Sequence, residues 1–112
     1  MIIEIDDIQA RTVLGAMKSI AKSGSGGMSE IDRQTIEAAG PIALGTESVD
    51  AASLAESSPD QLATHIRFEN DAAIAIQLLT VMSLAGGVLE PQKMHRLRAF
   101  ASALSFEEEY LD

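Results

Sequence analysis

Apolar positions recur along this chain at three- and four-residue spacing, the pattern of helices that bury one face. Ile8, Val13, Leu14, Met17, Ile20 and Ala21 share one side of a predicted first helix over 7–23. Asp6 and Asp7 favour its N-terminus and Lys18 and Lys22 its C-terminus, by the sign of the helix dipole. Ser29-Glu30-Ile31-Asp32 is a capping-box pattern opening a second helix to about Ala39. Gly40-Pro41 should break or kink it, with Ile42 to Leu44 adding one more turn. Thr46 to Ser57 is small and polar, anchored by Val49 and Leu54. Ser58-Pro59-Asp60-Gln61 then starts a short helix to about Arg67 that buries Leu62 and Ile66. After a turn over 68–71, Ala72 to Ala85 is apolar except at Gln77, Thr80 and Ser83. A helix apolar nearly all round should be enclosed by its own domain. The stretch 74–104 is therefore expected to be the element around which the chain is built.

Gly86-Gly87 suits the left-handed backbone that ends a helix, and Pro91 suits the first position of the next one. Leu89 and Met94 are spaced as a hydrophobic staple across that start. Met94, Leu97, Phe100, Ala101 and Leu104 form the apolar stripe of this last helix. Met1 to Asp6 alternates like a strand, but nothing later offers a partner strand. The expected fold is an all-α, single-domain helical bundle. Glu107 to Asp112 opens a further helical turn and stops, which leaves a longer protein as an alternative.

Composition narrows the function classes. The 112 residues carry 17 acidic against 8 basic side chains, a formal charge of −9. Nucleic acid, held through clustered Lys and Arg, is excluded as the expected partner, and an anionic membrane surface is disfavoured for the same reason. The predicted central helix, at about 15 residues, is short of the roughly 20 that span a bilayer. No cysteine is present, so disulfides, thiol nucleophiles and thiolate metal sites drop out. Aromatics are 4% of the chain, so the core must be aliphatic. The short N-terminal apolar run has no basic flank and no small-residue cleavage site, so no signal peptide is read.

SGGMSEIDRQTIEAA and GGVLEPQKMHRLRAF align without gaps at an offset of 61. Gly26 falls on Gly87, Met28 on Leu89, Ser29 on Glu90, Ile36 on Leu97 and Ala38 on Ala99. Each half reads as a helix, a glycine corner and a capped helix, giving two pseudo-symmetric hairpins. This doubled arrangement, and the corner Ser83-Leu84-Ala85-Gly86-Gly87-Val88-Leu89-Glu90-Pro91 in particular, resembles the tellurite-resistance TerB-like domain family. The resemblance implies an all-helical bundle in bacterial cytoplasm, associated with resistance to tellurite and other stresses. The expected role is a protein-interaction or scaffold module of a stress-response system rather than an enzyme, with a metal- or anion-sensing module as the alternative. The family's corner acid, a proposed metal ligand, is Ser25 in the first copy and Gly86 in the second, so no metal site carries over.

Candidate chemistry is sparse. Glu30, Asp32, Glu37 and Glu90 are expected near helix N-termini, where carboxylates stabilise the dipole without a cation. His65 and His95 lie in different helices with no local ligand spacing. SGSGG over 23–27 lacks a preceding strand and a GK[ST] signature, so it is not a phosphate loop. There is no G-x-S-x-G elbow. No catalytic, metal-binding or cofactor-binding residue is assigned. Lys93, His95, Arg96 and Arg98 are read as lying off the apolar stripe of the last helix. They make a basic cluster in an acidic chain: a solvated or internally paired face, with Glu90 or Glu107 to Glu109 as partners, or a docking patch for an acidic protein partner.

Overall fold

In the computed structural model, residues 6–47, 49–66, 69–85 and 90–104 are described. They form five α-helices, α1 (Asp7–Ser23), α2 (Glu30–Ala39), α3 (Pro59–His65), α4 (Glu69–Leu84) and α5 (Pro91–Ala103). A π-helical turn over Gly40–Leu44 extends α2. No strand occurs among the described residues, so the all-α expectation holds. Residues 1–5 of the alternating N-terminal run, the corner 86–89 and the acidic stretch 107–112 lie outside them.

Helix starts follow the sequence signals closely. Asp6 caps α1, accepting from the Gln9 N–H at 2.8 Å while the Gln9 side chain accepts from Asp6 N–H at 3.0 Å. Reciprocal capping boxes also join Ser29 with Asp32 and Ser58 with Gln61. Each satisfies orphan donors that a helix start would otherwise leave unpaired. Gly26 and Gly27 take left-handed φ of 82° and 77° in the first corner, a conformation that costs other residues about 1 kcal/mol or more. Helix α4 begins at Glu69, inside the stretch expected to be a turn.

The centre of the fold is α1, a correction to the expectation that 74–104 would hold that place. Helix α1 packs against α2, α3, α4, α5 and the π-turn. Every residue from Val13 to Ala21 is buried, so this stretch of α1 is enclosed on all sides. Small side chains at Gly15, Ala16, Ser19 and Ala21 let its neighbours approach closely. A Cβ at Gly15 would stand 2.4 Å from Ser57 Oγ and 2.5 Å from the Ala55 carbonyl, so the 54–57 segment crosses α1 at that glycine. Lys18 is buried beside the same crossing and donates to the carbonyls of Ala52 (3.2 Å) and Leu54 (2.7 Å). That is how an ammonium occupies a core position with its donors met. Helix α4, though more apolar, lies to one side: Ala75, Leu79 and Met82 are buried, whereas Val81 and Leu84 remain 54% and 51% exposed.

Two helices share a burial register. On α2 the buried positions are Asp32, Ile36 and Ala39, continued by Gly40; on α5 they are Lys93, Leu97, Phe100 and Ala101. Each member of the second set follows its counterpart by the same 61 residues.

Candidate functional site

The basic residues of α5 do not form one exposed cluster. Lys93, expected off the apolar stripe, is buried at 4% exposure. Its Nζ lies 3.5 Å from Asp32 Oδ1, itself at a buried position, and 3.7 Å from Glu90 Oε2. An ammonium is buried here because two carboxylates face it. Glu90 Oε1 also accepts from the Ser25 N–H at 2.8 Å. The start of α5 is thus tied to the first glycine corner and to the start of α2. Lys93 belongs to this internal junction and is unavailable to a partner.

Glu37 also departs from its expected place. It sits in the last part of α2, pairing with Arg33 at 2.8 Å and accepting from the Ala51 N–H at 3.0 Å. It therefore anchors the 46–57 segment rather than a helix N-terminus. Arg33 makes a second, exposed pair with Glu30. The hydrogen bond from Arg33 chiefly holds the Glu30 carboxyl below its usual range, and Arg33 is raised in turn.

His95 and Arg96 do face outward, into an open groove of about 710 Å³ between the C-terminal half of α1 and the N-terminal half of α5. Helix α1 contributes Ser19 and Lys22, helix α5 contributes Gln92, His95 and Arg96, and the crossing segment contributes Glu56. Arg96 Nε donates to Ser19 Oγ at 2.8 Å. Its guanidinium carbon lies 5.8 Å from the centre of the Phe100 ring, within cation–π range. These two contacts fix the guanidinium before any ligand arrives. Lys22 Nζ meets Glu56 Oε2 at 3.2 Å, both side chains about half exposed. Among the described residues, Glu56 is the single carboxylate lining the groove. Lys22 enters this site only through packing, since nothing in the sequence near position 93 points to position 22. Arg98 is exposed on α5 and does not line the groove.

Elsewhere the surface offers less. A depression of about 430 Å³ places Asp7 and Glu47 beside Arg11, so acid predominates there. Among the described residues, no three His, Asp or Glu side chains converge as metal ligands would. No helix among them is long and apolar enough to cross a membrane. His65 lies at the end of α3, remote in sequence from His95 and lining a different groove. No protein-family model, curated protein or solved structure matches the chain.

Proposed function

We propose that this chain is a non-enzymatic TerB-like domain of a tellurite- or stress-response system in bacterial cytoplasm. In this reading it acts as a protein-interaction or scaffold module and captures an acidic partner in the α1/α5 groove. One observation carries the docking role. In a chain of net charge −9, the described lining of the groove sets Lys22, His95 and Arg96 against one carboxylate, Glu56. The arginine there is already oriented by Ser19 and Phe100. A preorganised cation spends less conformational entropy on binding.

The two-hairpin arrangement is supported by the shared burial register of α2 and α5. It is further supported by the Asp32–Lys93 pair, whose members are 61 residues apart. Residues related by a twofold rotation can touch only close to its axis, so this pair would mark the pseudo-axis.

The test is fluorescence anisotropy with a labelled glutamate-rich peptide at low and at raised salt. Wild type should bind, with affinity falling steeply as salt screens the charges. Arg96→Gln combined with His95→Gln should weaken binding at least about tenfold, with the helical circular dichroism unchanged. Equal binding by wild type and double variant would remove the groove from the interaction. Competition by millimolar inorganic phosphate at constant ionic strength would instead favour the anion-sensing reading.

A further inference from the structure

A second groove, of about 270 Å³, lies on the other side of the segment that crosses α1. Its lining includes Ile8 and Arg11 from α1, His65 from α3, and Leu54 and Glu56 from the crossing segment. Glu56 therefore borders both grooves. The two histidines of the chain are divided between them, one in each. Together the two grooves gather Arg11, Lys22, Arg96 and both histidines, and among their described lining residues Glu56 is the one carboxylate; Arg11 also borders the neighbouring depression that holds Asp7 and Glu47.

Positions 11, 15, 18 and 22 fall on one face of α1 at helical spacing. The middle two, Gly15 and Lys18, are covered by the crossing segment, through the close approach of Ser57 and Ala55 and the bonds to the Ala52 and Leu54 carbonyls. Arg11 and Lys22 emerge on either side of that crossing, both exposed. Eleven residues of helix separate them, a rise of roughly 16 Å. An extended peptide covers that distance in about five residues.

We infer that the partner segment lies along this face of α1 and spans both grooves, resting on the docking role assigned above to the α1/α5 groove. One acidic block meets Lys22, His95 and Arg96. A second acidic block, about five residues away, meets Arg11 and His65, where exposed Ile8 (62%) offers an adjoining apolar contact. The residues between the blocks pass over Glu56 and are uncharged, because a carboxylate there would face another carboxylate. The recognised pattern is thus acidic, neutral, acidic, rather than a continuous acidic run.

Two labelled peptides of equal length and charge test this on the full chain by fluorescence anisotropy. One carries two glutamate pairs separated by five neutral residues, and the other carries the four glutamates together. The two-block peptide should bind about three- to tenfold more tightly, since its second contact is intramolecular once the first has formed. Arg11→Gln, a change at an exposed position, should abolish that preference while leaving the four-glutamate peptide nearly unaffected. Glu56→Gln should narrow the preference by admitting the continuous acidic run. Equal affinities for the two peptides, with binding still sensitive to Arg96→Gln, would overturn the second subsite and leave the α1/α5 groove standing. Loss of all Arg96-sensitive binding would overturn both.

Discussion

Replacing Lys93 with methionine keeps most of the side-chain volume and deletes the charge. In the native chain Lys93 Nζ is 3.5 Å from Asp32 and 3.7 Å from Glu90, with the Lys93 and Asp32 side chains 5% and 2% exposed. The substitution leaves the Asp32 carboxylate enclosed without its countercharge, which typically costs about 3–5 kcal/mol. The lower end applies here, because Asp32 retains the hydrogen bond from the Ser29 N–H at 2.9 Å and the pair is already at 3.5 Å. A loss of about 3 kcal/mol is a large share of the roughly 5–15 kcal/mol that holds a domain together. With a urea slope of about 1–3 kcal/mol per molar, the midpoint should fall by about 1–3 M. Asp32→Asn combined with Lys93→Met should be less damaging than Lys93→Met alone, since the amide oxygen can still accept from Ser29 and the carboxylate that remains, Glu90, is partly exposed. Lys22→Met is the exposed control, where the surface pair with Glu56 is worth about 0–1 kcal/mol. Urea unfolding followed by circular dichroism reads all four proteins. If Lys93→Met shifted the midpoint no more than Lys22→Met, the buried junction between the two helix starts would be refuted.

Two further substitutions probe the packing around α1 and α4. Gly15→Ala should destabilise by about 1–3 kcal/mol through overpacking, despite alanine's helix preference, because a Cβ would collide with Ser57 Oγ and the Ala55 carbonyl; an unchanged or raised melting temperature would show that the crossing segment yields. Leu79→Ala should cost about 2–5 kcal/mol as a cavity in a fully buried site, while Gln77→Ala, at an exposed position, should stay within about 0.5 kcal/mol; near-equal small shifts in urea midpoint would remove α4 from the core.

The local features of this protein are legible in its sequence. Ser29 and Ser58 stand three residues before Asp32 and Gln61, and both pairs close the expected caps; Asp6, expected at a helix N-terminus for its charge, also forms a capping box with Gln9. Apolar spacing placed Leu62, Ile66, Leu79, Leu97 and Phe100 in the core, where they lie. These properties depend on contacts within one or two helical turns, so neighbouring residues suffice to specify them.

What surrounds each helix was decided by the tertiary structure. Hydropathy favoured α4 as the centre, yet α1 is the enclosed helix, because burial depends on close approach as well as on apolarity. Gly15, Ala16 and Ser19 permit that approach, and the carbonyls of Ala52 and Leu54 meet Lys18 from more than 30 residues away. The basic cluster of α5 divided for the same reason. Lys93 was withdrawn into the interior by Asp32, 61 residues distant, while Arg96 was set on the surface by Ser19, 77 residues distant. Lysine and arginine carry the same charge in sequence. Whether that charge is spent inside the fold or presented to a partner depends on which carboxylate or hydroxyl the packing brings opposite it, and only the folded chain supplies that neighbour.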